Sequence, residues 1–303
     1  MANLKELRGR IKSVTSIAQI TRAMEMIASM KLRKVQAKAQ TFYPYAQEMR
    51  QMVERLAAKV GTASGLPWFR TDPPKTTGVL LITSDRGLCG SYNTNLLKAL
   101  HDLSEELRKQ DPDRKIKFWC YGRKGYAWLT RRGYKVERFF VEPPLDKLDF
   151  RAAKMVGKEL ADAFLAGTVD NVRIYYSRFA SIIRFEPTDE RFLPIMNHDF
   201  VTTPSNEAKQ RATSEAKDTD FLMEPDATTL FDALIPRYLE TMVFGAMLQG
   251  LASEHASRRM AMKSATDAGM RMTKGLKKVY NRARQETITK ELLDIVGGAS
   301  AVS

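Results

Sequence analysis

Apolar residues recur at heptad spacing along the first part of the chain. Leu4, Ile11, Ala18, Leu32, Ala39, Ala46 and Val53 fall at one seam position, and Leu7, Val14, Ala28, Val35, Phe42, Met49 and Leu56 at the other. That spacing is the mark of a helix that buries one stripe against another helix. Thr21 and Glu25 interrupt it, and there Ile17, Ile20, Met24 and Ile27 predict a phase shift of the seam by one residue. Pro44 sits inside the pattern, which continues on both sides, so a bend without a break is expected. At about 1.5 Å per residue, residues 3–59 reach roughly 80 Å. Gly61, Gly65 and Pro67 close the element.

The other end of the chain behaves similarly. From about Asp226, Leu230, Leu234, Tyr238, Met242, Leu248, Leu251, Met262, Met270, Leu276, Val279, Ala283, Ile288, Leu292 and Ile295 recur at helical spacing, and Gly297-Gly298 is expected to stop the helix. No proline precedes Pro44 and none follows Pro236. Proline costs about 3 kcal/mol inside a helix, so proline-poor ends permit unusually long ones. Two such helices must each bury a stripe. The nearest partner for each is the other, which predicts an antiparallel or staggered pair built from the two chain ends.

The middle of the chain has a different texture. Gly78–Ser84 is a continuous apolar run of the kind found in a strand buried on both faces. Thr94–Gln110, Arg123–Arg132 and Phe150–Leu165 have helical periodicity, and Ile116–Tyr121, Val136–Val141 and Val172–Tyr176 read as strands. Strands alternating with helices predict a small α/β domain with a largely parallel sheet. Ser181–Phe185 and Arg191–Ile195 are expected to form a terminal hairpin. Residues 202–220 are polar and charged with little periodicity, which predicts an exposed connector.

Composition narrows the function classes. The 303 residues carry 49 Lys+Arg against 35 Asp+Glu, a formal charge of +14. By segment this is about +8 over 1–60, +2 over 61–227 and +4 over 228–303, so the excess sits on the two helical ends. Basic helices meet acidic partners: nucleic acid, anionic lipid or an acidic protein surface. No apolar run approaches the roughly 18 to 20 residues a membrane span needs, which excludes an integral membrane protein of the helical kind. Two cysteines (Cys89, Cys120) and three histidines (His101, His198, His255) exclude a disulfide scaffold and argue against a Cys/His zinc site. Met1–Arg10 is broken by charges, so no secretory signal is expected and the chain reads as untargeted, in a bacterial cytoplasm.

The most enzyme-like segment is Ser84–Asn93, SDRGLCGSYN, a glycine-containing turn directly after a strand, where α/β folds bind ligands. It is neither G-x-G-x-x-G nor a P-loop, so a tight turn that needs small residues for packing is the simpler expectation. Asp85 and Cys89 have no neighbouring histidine in sequence, and neither cysteine has C-x-x-C spacing. Lys31-Leu32-Arg33-Lys34 and Arg258-Arg259 read as solvated helix faces, without any recognisable nucleic-acid motif. Met24, Met26, Met30, Met260, Met262, Met270 and Met272 are expected mostly in the seam; a methionine-rich surface is also deformable and accepts several partner surfaces.

Four segments, Ile17–Lys34, Ser84–Asn93, Ala252–Thr266 and Asn281–Val302, occur in the order and spacing of one family. The chain resembles the gamma subunit family of the F-type ATP synthase over essentially its full length. The resemblance implies an α/β fold plus long coiled coil: two long N- and C-terminal helices paired antiparallel, with a central Rossmann-like α/β domain. It divides the chain into a coiled-coil helix at 1–60, the α/β domain at 76–200, a connector and ring-contacting foot at 201–225, and a second coiled-coil helix at 226–298. It also implies a non-catalytic rotor with no cofactor, metal or small-molecule substrate of its own and no nucleic-acid partner. The implied partners are three alpha and three beta subunits of the catalytic head, the epsilon subunit and the membrane ring of c subunits. Head contacts would map onto Met24, Arg259, Arg284, Gln285 and Thr289, and ring contacts onto Phe221, Met223 and Glu224. The implied location is peripheral, on the cytoplasmic face of the bacterial inner membrane, where transmembrane proton flow is coupled to ATP synthesis. The sequence departs from the family pattern at Met223, at Glu286 and at Ala268-Gly269, and 202–220 lacks the cysteines of the chloroplast redox switch. The alternative is a small α/β nucleotide- or nucleic-acid-binding protein with coiled-coil extensions; the missing phosphate motif opposes the first form, and the second predicts strongly salt-dependent DNA or RNA affinity.

Overall fold

The computed structural model describes residues 4–60, 66–70, 73–195, 224 and 226–300. Helix α1 (Leu4–Val60) is followed by strand β1 (Thr76–Ile82), α2 (Tyr92–Gln110), β2 (Lys115–Tyr121), α3 (Arg123–Arg131), β3 (Val136–Phe140), α4 (Phe150–Leu165), β4 (Asn171–Phe179), β5 (Phe185–Leu193) and α5 (Ala227–Ser300). Pro44 lies inside α1 and Pro236 inside α5. The chain divides into two compact units. One comprises Leu32–Gly87 and Ser91–Glu254; the other comprises Met1–Lys31, Leu88–Gly90 and His255–Ser303.

The first of these units holds the sheet, in the order β3-β2-β1-β4-β5. β1 pairs in parallel with β2 and β4, and β2 with β3, while β5 runs antiparallel to β4 at one edge. β1 is central and covered on both faces, which is why TTGVLLI lacks polar alternation and is buried from Thr77 to Ile82. Leu96, Leu97 and Leu100 of α2 pack on Val79, Leu81, Phe118 and Cys120. Each such side chain contributes about 1.5–3 kcal/mol by leaving water. Asp149 caps α4, its carboxylate accepting from the Ala152 amide at 3.0 Å. Gly157 lets α4 come close to α5: a Cβ there would stand 3.3 Å from the Glu240 Cα.

Within the same unit α1 and α5 pair antiparallel. Phe42 meets Phe244 edge-on at 4.8 Å, and Arg237 of α5 donates to the Tyr45 hydroxyl at 3.2 Å. Gln249 bridges, donating to the Tyr43 hydroxyl and accepting from the Phe179 amide. The face of α5 buried here is Phe231, Ile235, Leu239 and Val243, each at most 1% exposed. The expected stripe of Leu230, Leu234, Tyr238 and Met242 is only half-buried. From Ala246 to Glu254 burial extends around almost the whole helix, so the apolar spacing there no longer selects one face.

The expected terminal hairpin is corrected as well. Ser181–Arg184 is the turn, not a strand: the Ser181 hydroxyl accepts from the Ile183 and Arg184 amides, and β4 and β5 flank it. Ile182 and Ile183 look like strand residues because they are β-branched, yet both are exposed at the tip. On β5, Glu190 accepts from the Tyr176 hydroxyl at 2.8 Å. Burial raises the Glu190 carboxyl above its ordinary range, with the Tyr176 hydrogen bond and Arg50 pulling the other way. A carboxyl whose folded-state pKa is raised favours folding most below its unfolded pKa, and that contribution is lost as pH rises through the folded value. Glu190→Gln is therefore expected to flatten the fall in stability above pH 4.5, read from urea melts across pH; an unchanged slope would contradict the assignment.

In the second unit α1 and α5 again run antiparallel. Arg8 donates to the Tyr280 hydroxyl at 2.7 Å, the Thr21 and Thr266 hydroxyls lie 2.8 Å apart, and Gly269 faces Ala18 closely enough that a Cβ would be 3.0 Å from the alanine methyl. The predicted phase shift does not occur. Thr21 stays at its seam position and Ile17, Ile20 and Ile27 are 56%, 59% and 49% exposed. A hydroxyl pair satisfied across the seam removes the desolvation penalty that made a threonine look misplaced. α5 also continues through Gly297-Gly298 to Ser300. Glycine in a helix costs only about 1 kcal/mol relative to alanine and need not end one.

Candidate functional site

The turn after β1 is built for packing. The Ser84 hydroxyl donates to the Arg86 carbonyl at 2.8 Å and pairs with the Asn93 amide. Asp85 accepts from the Arg123 amide at 3.1 Å, at the first residue of α3. The N-terminus of α3, the next helix along, is thus already served by the chain's own carboxylate. Cys89 is buried and its carbonyl accepts from the Ser257 hydroxyl at 2.6 Å. Gly90 has φ +57, and a Cβ there would stand 3.2 Å from the Ser257 hydroxyl oxygen of α5. The small residues of SDRGLCG serve a tight, densely packed turn, as expected. Leu88 is the exception, with φ +60 and a side chain 66% exposed.

Groups that carry chemistry elsewhere are occupied or muted here. Burial pushes the Cys120 thiol well up, away from thiolate formation. His101 packs against the Trp128 ring, and His255 is buried beside Arg258. Among the described residues no group of three or more His, Cys, Asp or Glu side chains is placed to hold a metal ion.

The notable surface belongs to the paired helices. Met26 and Met30 are exposed alongside Ile17, Ile20 and Ile27 on α1. On α5, Met270, Met272, Val279, Ile288, Leu292, Leu293, Ile295 and Val296 are exposed too. The expectation that the methionines fill the seam holds for Met262, which is buried, and fails for Met26, Met30, Met260, Met270 and Met272. Apolar side chains exposed in this number along two helices point to an interaction surface. Sequence reasoning missed Met26, Leu293 and Val296 as surface residues; the available signal was that they are apolar but off the seam.

The site residues expected from the sequence fall in separate places. Met24 and Arg259 are half-buried, on α1 and α5 respectively. Arg284, Gln285 and Thr289 are exposed on α5, at about 1.5 Å per residue some 40 Å along the helix from Arg259. Gln285 and Thr289 line a shallow groove with Arg282, Glu286, Lys290 and Leu293. Glu286, the acidic departure from the family pattern, is paired with Arg282 at 3.0 Å, so its charge is locally offset. Of the foot residues, Glu224 is exposed, while Phe221 and Met223, like the 202–220 connector, lie outside the described residues.

An α/β domain on two antiparallel terminal helices, with its broadest apolar exposure on those helices, defines an assembly subunit whose working surface is helical. The family model described as ATP synthase matches residues 3–302. The ATP synthase gamma chain of Chloroherpeton thalassium is 37% identical, with 100% of this chain and 99% of the relative aligned. That of Macrococcus caseolyticus is 35% identical over 100% of both. In solved structures, a chain of the Euglena gracilis mitochondrial ATP synthase (OSCP/F1/c-ring, rotational state 3) has the same fold, with TM-score 0.65, 18% identity and coverage of 99% of this chain and 94% of that one. A chain of the Tetrahymena thermophila mitochondrial ATP synthase central stalk/c-ring gives TM-score 0.56 at 22% identity, covering 81% and 99%. The chain belongs to the ATP synthase gamma chain family.

Proposed function

We propose that the chain is the non-catalytic rotor shaft of an F-type ATP synthase. The paired ends of α1 and α5 turn inside a head of three alpha and three beta subunits, and the α/β domain is held with the epsilon subunit on the membrane ring of c subunits. Rotation driven by proton flow then forces the beta subunits through different conformations, coupling transport to ATP synthesis. The observation that carries this reading is the exposed apolar surface of the two helices, from Ile17 to Met30 and from Val279 to Val296, which calls for a surrounding protein sleeve. Exposed basic residues on the same helices suit acidic patches, and such contacts are worth about 0.2–1 kcal/mol each, weak enough to break at every step.

Met24, Arg259, Arg284, Gln285 and Thr289 are assigned to the head contact and Phe221, Met223 and Glu224 to the ring. Among the described residues no helix is long and apolar enough to cross a membrane. That agrees with a peripheral subunit, which we place on the cytoplasmic face of the bacterial inner membrane. The test is reconstitution of the full chain with alpha and beta subunits. A stable complex with ATPase activity far above that of the separate subunits is expected. Failure to assemble, or ATP hydrolysis by the pure chain alone, would overturn the reading.

A further inference from the structure

Between α1 and α5, inside the unit formed by the chain ends, lies a cleft of about 340 Å³. Its cations are Arg22, Lys274 and Lys277, and no carboxylate lines it; Glu25 and Asp267, the nearest in sequence, lie outside its lining. Lys274 and Lys277 are three apart on one helix and so share a face, where their like charges repel unless an anion intervenes. The hydroxyls in the cleft are not equivalent. Thr15 donates to the Ile11 carbonyl and Thr266 to the Met262 carbonyl, each within its own helix. The Thr273 hydroxyl oxygen is buried and has no hydrogen-bond partner.

We propose that this cleft binds a phosphate group. Arg22 offers a planar fork of N–H donors, the two lysines offer compact ammonium charges, and Gln19 adds a neutral donor. That set is rich in donors and has no anionic side chain. It matches a tetrahedral dianion with several acceptor oxygens better than a carboxylate, which brings one charge and two oxygens. Ala18 and Met270 supply the apolar floor. A bound phosphate ties α1 to α5 across the seam. The source is either free phosphate or the phosphates of a nucleotide. The inference goes beyond the shaft assignment and uses the free chain, so its failure leaves that assignment standing.

The experiment is calorimetric titration of the full chain with inorganic phosphate, and separately with ATP, at fixed ionic strength. Saturable binding of either is expected, and the tighter of the two identifies the source. Lys274→Gln with Lys277→Gln is expected to weaken it by about tenfold or more. Lys12→Gln with Lys263→Gln, which removes the same charge from exposed positions outside the cleft, is expected to leave affinity within about twofold. The proposal is overturned if neither ligand saturates in the millimolar range, or if both double variants weaken binding equally.

Discussion

Gly122→Ala is expected to unfold the sheet-bearing unit under conditions where the parent chain is folded. Gly122 follows β2 at φ +105, and a Cβ built on it would stand 2.2 Å from the Thr83 carbonyl oxygen and 2.7 Å from the carbonyl carbon. Those are backbone atoms of the residue that follows β1, so no side-chain rotation relieves the clash. The cost is about 4 kcal/mol or more, a large share of the roughly 5–15 kcal/mol that holds a domain folded. Gly133→Ala is the control. It shares a positive φ, +74, but a Cβ there meets nothing within 4 Å, so only the conformational cost of about 1–2 kcal/mol is expected. Trp68, Trp119 and Trp128 all lie in the sheet-bearing unit, so tryptophan fluorescence during urea denaturation reports on it directly. Equal midpoints for the two variants would refute the steric account.

Replacing Arg284 and Gln285 together by alanine is expected to lower the ATPase activity of the reconstituted head by about tenfold or more. Both side chains are exposed on α5, so the tryptophan fluorescence and urea midpoint of the free chain should not move. Hydrogen bonds to a charged group are worth about 1.5–3 kcal/mol, and each 1.4 kcal/mol lost from a rate-determining state is a factor of ten in rate. A loss confined to assembly, with full activity once assembled, would show that the pair anchors the shaft without transmitting torque. Unchanged assembly and activity would remove both residues from the head contact. Glu286→Gln serves as a comparison: because Arg282 offsets its charge locally, a much smaller effect is expected.

The α/β domain was legible because its elements obey local rules. A parallel strand covered on both faces must be apolar throughout, and β1 is; an amphipathic crossover helix must repeat near 3.6, and α2 and α4 do. The misread hairpin shows the limit. Ile182 and Ile183 have the chemistry of strand residues, and only the hydrogen bonds to the Ser181 hydroxyl make their segment a turn. The proposed site residues rest on the family resemblance alone. Arg284, Gln285 and Thr289 make a polar helix surface that no spacing rule distinguishes from solvated helix, whereas Met24 and Arg259 sit half-buried near seam positions.

The sequence by itself determined that two long helices exist, that they carry most of the excess positive charge, and that a parallel α/β domain lies between them. Periodicity, proline placement and charge are properties of the chain, and they act locally. Only the tertiary structure decided which stripe of each helix is seam and which is surface. Thr21 is inside because Thr266 meets it, and Ile17 and Ile20 are outside because the frame therefore never shifts. Hydrophobicity ranks residues by the cost of leaving water, and a partner across the seam changes that cost. The partner's identity is a long-range fact, 245 residues away along the chain.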